Sequence, residues 1–300
     1  PYERLRSRPM GNTQDIKKRI KAVGNIKRIT RTMQMIATSK FARAQTASVA
    51  SRPYTESIFG LVAKLGDAGV GEGHPLLSNP NPDAPEITLV IAADRGLCGP
   101  YTGTITRKAL THLRSQTNEH NIIEVVGKKG ANALKFSGFP NHKLLTQFGD
   151  KPTYADVEKL AAQYIEKFIA GEISAVRIVY MKYISAGRQV PTNLQLLPFS
   201  TPEVADTSDS STGHDDVYEF SPDADSLLDF LLPAAVKAVT FQCFNDAIVS
   251  EHIARMVAMK AATDNAGKMS HLLKRQFNRM RQAQITTELT EIISGAAALE

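Results

Sequence analysis

The sequence predicts an α/β protein with a long helix at each end and a compact α/β domain between them. Two observations carry this. No proline occurs from Met10 to Arg52 or from Ala234 to Glu300. At ~1.5 Å per residue the second stretch would reach roughly 100 Å as one helix, against an average globular helix of about 11–12 residues. Between these ends, β-branched apolar runs alternate with amphipathic stretches, the pattern of a largely parallel sheet with helices on its faces. The boundaries fall at 1–66 for the first helix, 67–222 for the middle domain with exposed loops, and 223–300 for the last helix.

The first helix carries an apolar stripe of Ile16, Ile20, Val23, Ile26, Ile29, Met33 and Ile36, spaced by three or four residues. Asn12 or Thr13 is placed to cap its start, and Asp15 suits the first turn. Beyond Met35 the sequence turns small and alanine-rich, which permits close approach of another helix. Pro53 marks an expected break, after which Thr55–Leu65 resumes the helix. Gly66 to Pro85 reads as a loop.

In the middle, strands are expected at Glu86–Ala93, Asn121–Gly127, His142–Gln147, Ile173–Ile184 and Leu194–Phe199. Helices are expected at Thr102–Gln116, Gly130–Ser137 and Thr153–Ala170, the last capped by Thr153. Thr201 to Asp216 is polar, acidic and expected to be an exposed loop. The last helix begins near Pro222–Leu227, with Pro233 tolerable only near its first turn or at a kink. Its end runs Ile285, Leu289, Ile292, Ala296, Leu299 at heptad spacing, after a five-residue slip from Met280. Each end helix has one stripe, so the two are expected to pack on each other, antiparallel or nearly so.

Charge is uneven. Residues 1–52 hold 13 lysines and arginines against two acids, a net +11, so the rest of the chain carries −5 of the total +6. A basic helical arm suits an acidic partner: nucleic acid, anionic lipid or an acidic protein face. Tryptophan is absent and aromatics make up 7%, which weakens base stacking and with it a nucleic-acid-binding scaffold. No purely apolar run approaches the ~18 residues of a membrane span, so a soluble chain without a direct membrane span is expected. Two cysteines, Cys98 and Cys243, imply no disulfide framework, and the seven histidines share no metal spacing. The chain begins at Pro1 with Arg4, Arg6 and Arg8, the pattern of a removed Arg-rich transit peptide or of a trimmed end.

Asp94–Gly99 follows a strand and precedes a helix, where an α/β fold would place a phosphate-binding turn. It lacks the G-x-G-x-x-G pattern, and Gly127-Lys128-Lys129-Gly130 is no Walker loop. The glycines suit a tight turn, and Cys98 suits packing rather than nucleophilic attack. No catalytic, cofactor or metal residues are therefore assigned, and a small nucleotide-using enzyme remains a rival reading.

Four segments resemble the γ subunit of F-type ATP synthase: Ile26-Lys27-Arg28-Ile29-Thr30-Arg31-Thr32-Met33-Gln34-Met35-Ile36-Ala37 with Lys40, Asp94–Gly99, Arg255–Asn265, and Arg281–Leu299. The resemblance covers essentially the whole chain and is most specific at its two ends. It implies a rotor: an antiparallel coiled coil inside a ring of alternating α and β subunits, and a Rossmann-like middle domain that holds no active site and faces the c-ring. It implies as partners those subunits, the small central-stalk subunits δ or ε, and the c-ring, with no cofactor.

By position, the resemblance puts Met33 against the β-subunit lever, and Arg281, Gln282 and Thr286 against catalytic-subunit loops. Arg255 lies in the matching shaft segment. Ile292 and Leu299 belong to an apolar bearing, and Gly96, Cys98 and Gly99 to a structural turn. Thr38, Ser39 and Gly24 depart from the family's alanine-rich pattern, and the plastid type's regulatory cysteine insertion is missing. The Arg-rich start suits the matrix side of a mitochondrial inner membrane, with the cytoplasmic face of a bacterial plasma membrane as the alternative.

Overall fold

The computed structural model describes residues 13–67, 74–78, 81, 83–116, 121–140, 142–149, 152–199 and 224–297. The elements run α1 (Thr13–Asp67), β1 (Glu86–Ile91), α2 (Tyr101–Ser115), β2 (Ile122–Val126), α3 (Lys128–Phe136), β3 (Lys143–Leu145), α4 (Tyr154–Ile169), β4 (Ala175–Ser185), β5 (Arg188–Leu197) and α5 (Ala224–Ala297). The chain divides into two compact units, one of Pro1–Ala37 with Met256–Glu300 and one of Thr38–Arg255.

Every strand and helix expected from the sequence has a counterpart. The expected break at Pro53 does not occur: α1 runs through it. Proline there withdraws a hydrogen bond from the carbonyl four residues back. That carbonyl belongs to Val49, which is exposed, as is Pro53 itself, so water can serve it. Pro233 likewise lies within α5, in its third turn. The acidic Thr201–Asp216 segment lies outside the described residues.

In the larger unit the five-stranded sheet has the order β3-β2-β1-β4-β5. β1 pairs parallel with β2 and β4, β2 parallel with β3, and β4 antiparallel with β5. The sequence suggested β5 from Leu194; the strand starts at Arg188, straight after an Ala186-Gly187 turn. Side chains alternate between faces with period two. Ile87, Leu89, Ile91, Val176, Ile178 and Tyr180 meet α1, α4 and α5 in one core. Val90, Val179 and Met181 meet Tyr101, Ile105 and Leu134 of α2 and α3 in another. Thr153 caps α4, accepting the Asp156 N–H at 3.3 Å.

α5 contains an 18-residue stretch apolar enough in composition to cross a membrane, although no purely apolar run of that length occurs in it. Half of that stretch is buried within the fold. Leu228, Leu232, Val236, Val239 and Phe244 supply this apolar character and spend it on the sheet.

In the smaller unit the two end segments run antiparallel. Thr263 donates to Thr30 at 2.8 Å, and Thr13 donates to Gln284 at 3.4 Å. The seam on α5 is Met259, Thr263, Ala266, Ser270, Leu273, Phe277 and Met280, all buried or half-buried and spaced four and three alternately, as a heptad requires. Facing it, Ile16, Val23 and Ala37 are buried, and Ile20, Thr30, Met33 and Gln34 half-buried. Ile26, Ile29 and Ile36 of the same sequence stripe point away and are about half exposed.

Candidate coupling site

The turn after β1 is built by backbone geometry. Leu97 at φ 65° and Gly99 at φ 58° both adopt left-handed conformations, which glycine takes without strain and leucine does not. Cys98 is buried, with Sγ 3.8 Å from the Arg95 carbonyl and 3.7 Å from Thr102 Oγ1. Arg255 of α5 reaches this turn. Its Nη2 donates to the Arg95 carbonyl at 3.2 Å and its Nε to the Gly96 carbonyl at 3.5 Å, while Nη2 also pairs with Glu251 at 2.6 Å.

The turn is therefore joined to α5 rather than opened to a phosphate. The α3 N-terminus beside it is satisfied from within: Asp94 accepts the Lys128 N–H at 2.9 Å and the Ala93 carbonyl accepts the Lys129 N–H at 3.1 Å. Gly127 lies at φ 99°, and a Cβ there would meet the Ala92 carbonyl oxygen at 2.4 Å. Its role is to let the two strand ends approach.

The crevice at the strand ends, where such sheets hold ligands, is lined partly by α5 through Phe244, Ala247, Ile248 and Glu251. Phe244 packs on Phe148 with ring centroids 4.7 Å apart. The enclosed volume is about 30 Å3, room for a water or two, whereas ligand pockets run from about 300 Å3.

A polar network joins α1 to α5 in the larger unit. Ser48 donates to Asp246 at 3.2 Å, Gln242 donates to the same carboxylate at 2.8 Å, and Arg52 lies 3.8 Å from it. Ser51 donates to Gln242 at 2.8 Å, and Arg52 donates to the Tyr183 carbonyl at 2.9 Å. Burial pushes the Asp246 carboxyl above its ordinary value, and its hydrogen bonds and Arg52 only partly offset this. At the base of β1, Glu86 accepts from Gln116 and Arg177 at 2.5 and 3.3 Å and pairs with His112 at 2.7 Å. Burial alone would raise its carboxyl; His112, Arg177 and Gln116 outweigh that and hold it low.

Of the residues singled out in the sequence, Gly96, Cys98 and Arg255 meet at the turn. Met33 is half-buried on α1. Arg281, Gln282 and Thr286 are exposed near where Thr13 meets Gln284, and Ile292 is 69% exposed. Leu299 lies outside the described residues. Tyr101 and the Gln242, Asp246, Ser250 series raise no expectation in the sequence reading. The signal was there: Gln242, Asp246 and Ser250 recur at four-residue intervals, with Asn245 beside them, on a segment whose other residues are Cys243, Phe244, Ala247, Ile248 and Val249.

The family described as ATP synthase matches residues 12–299 of the chain. The ATP synthase gamma chain of Rhodopirellula baltica is 43% identical over 297 residues, covering 97% of this chain and all of the relative. The chain belongs to the ATP synthase γ-chain family. The gamma chain of Staphylococcus aureus strain JH9 is 35% identical over 296 residues, again over 97% of this chain and the whole relative.

The fold is also that of solved rotor chains. A chain from the Euglena gracilis mitochondrial ATP synthase rotor gives a TM-score of 0.61 at 18% identity, over 92% of this chain and 99% of that one. One from the central stalk and c-ring of the Tetrahymena thermophila enzyme gives 0.55 at 18% identity, over 78% and 99%. As a γ chain the molecule is a non-catalytic subunit of its synthase. Nothing in these likenesses supports a nucleic-acid-binding scaffold.

Proposed function

We propose that this chain is the central-stalk rotor of an F-type ATP synthase, coupling proton-driven c-ring rotation to conformational change in the catalytic β subunits. The observation that carries it, beside family membership, is the surface of the end-helix pair. Every residue from Arg281 to Ala297 is exposed, including Ile285, Leu289, Ile292 and Ile293. On α1, Ile26, Ile29, Met35 and Ile36 are exposed among Lys27, Arg28 and Arg31. A helix pair that leaves two apolar faces in water is built to lie inside something.

In this reading the ring of alternating α and β subunits surrounds the pair. Acidic β-subunit levers meet the basic face around Met33. Catalytic-subunit loops meet Arg281, Gln282 and Thr286, and Ile292 with Leu299 sits in an apolar bearing. Arg255 belongs to the same shaft segment. The 1–66, 67–222 and 223–300 division assigns shaft, grip and shaft, with the small stalk subunits and c-ring at the middle domain. Chains of the same fold in solved rotor, central-stalk and c-ring assemblies support these partners. The subunit only biases the equilibrium among β-subunit conformations, and ATP chemistry stays with β.

The chain is a peripheral subunit at an energy-coupling membrane. Mitochondrial rotor chains of the same fold support the matrix side of an inner membrane, and the bacterial relatives support the cytoplasmic face of a plasma membrane. The test is mechanical. With the ring fixed and a probe on the middle domain, ATP should drive unidirectional stepping; a probe that never steps sinks the proposal.

A further inference from the structure

α5 is gripped in the α/β unit by hydrogen bonds from several directions as well as by apolar packing. Asp246 faces α1, accepting from Ser48 at 3.2 Å. Ser250, fully buried, donates to the Met181 carbonyl of β4 at 3.2 Å. Tyr101 of α2, also buried, donates to the Ala247 carbonyl at 2.9 Å. Arg255 holds the carbonyls of Arg95 and Gly96. An α-helix turns about 100° per residue. With Asp246 at zero, Ser250 lies at about 40°, Ala247 at about 100° and Arg255 at about 180°.

Four separate elements (α1, β4, α2 and the turn after β1) thus hold α5 across about half its circumference. The distinction from apolar packing is physical. Burial of apolar surface is non-directional, so it singles out no one angle among those that bury the same area. A hydrogen bond demands both distance and angle, and the fully buried Ser250 hydroxyl cannot turn away from its partner without cost. The Ala247 carbonyl lies within α5, so Tyr101 uses its second lone pair and reads the helix backbone itself.

We infer that Tyr101, Ser250 and Asp246 are positioning residues for torque: they lock the rotation of α5 about its own axis to the sheet. The inference rests on the rotor reading above and adds the residues through which twist passes between the domain and the helix. Apolar packing alone would let the domain lag behind α5; the directional ties make the two turn together.

The test uses the assembled complex with its ring immobilised and a bead on the exposed α2 surface at Lys108→Cys. Angular fluctuation of the bead is recorded while the nucleotide state holds rotation at rest. Variance is inversely proportional to torsional stiffness, so losing about half the directional ties in Tyr101→Phe/Ser250→Ala raises it about twofold. Tyr101→Phe alone keeps the ring in place and gives a smaller rise. Ile178→Val, a buried sheet truncation, lowers stability without touching the ties and leaves the variance at the wild-type value. Unchanged variance in the double and single variants, or an equal rise in Ile178→Val, overturns the lock while wild-type stepping leaves the rotor reading intact. A wild-type bead that never steps under ATP overturns the rotor reading, and the lock with it.

Discussion

Asp94 Oδ1 accepts the backbone N–H of Lys128 at 2.9 Å. A carboxylate from the end of one strand thereby occupies the positive end of the helix that follows the next, the place where a related sheet would hold a phosphate. Asp94→Ala should cost about 1 kcal/mol, the usual loss of a helix cap. Denaturant unfolding of the isolated chain would read it as a lower midpoint with an unchanged slope. Equilibrium dialysis should find no nucleotide bound to the wild type; saturable binding at this turn would revive the enzyme reading.

Gly127→Ala should be far more damaging. Its Cβ would lie 2.4 Å from the Ala92 carbonyl oxygen and its φ is 99°. A loss of more than about 2 kcal/mol is expected, while Gly24→Ala, with nothing within 4 Å, should gain up to about 1 kcal/mol. Thermal unfolding of the two variants side by side decides the point.

Asp246 and Glu86 should move stability with pH in opposite senses. The folded state raises the Asp246 carboxyl above 3.8, so it holds its proton more tightly than the unfolded chain does. Its contribution is greatest in acid and falls as pH rises from the unfolded value through the higher folded one. Asp246→Asn should remove that fall. Glu86 is held below 4.5, so its contribution is present above that value and is lost as pH falls through the lower folded value. Glu86→Gln should cost about 2 kcal/mol near neutrality and progressively less in acid. Unfolding midpoints measured from pH 3 to pH 7 would show the two trends, and parallel curves for wild type and both variants would contradict them.

Arg281→Ala and Gln282→Ala should leave the isolated chain as stable as wild type, within about 0.5 kcal/mol, because both side chains are exposed. In the assembled complex the same changes should lower coupled ATP synthesis. A loss of stability without a loss of coupling would show that these residues serve the fold and not a partner.

Much of this architecture was legible because it rests on period and punctuation. The β-branched apolar run at Glu86–Ala93, the Thr153 cap and the long proline-free ends are local signals, and each has its counterpart in the fold. The helix pair was legible only in part. Its α5 seam is a regular heptad, but three successive positions are Thr263, Ala266 and Ser270, which an apolar search steps over. The polar ties were missed for a related reason. Tyr101 and Ala247 are separated by 146 residues, and no spacing within either helix announces a bond that only the sheet between them brings about.

The exposed apolar end of α5 has a consequence for friction. Ile285, Leu289, Ile292 and Ile293 present hydrocarbon alone, and hydrocarbon has no bond to break as it turns past a neighbour. Glu288 and Glu291 share these turns, so a sleeve would meet this low resistance along the apolar side of the helix. A contact of that kind would dissipate little of the work delivered to the helix.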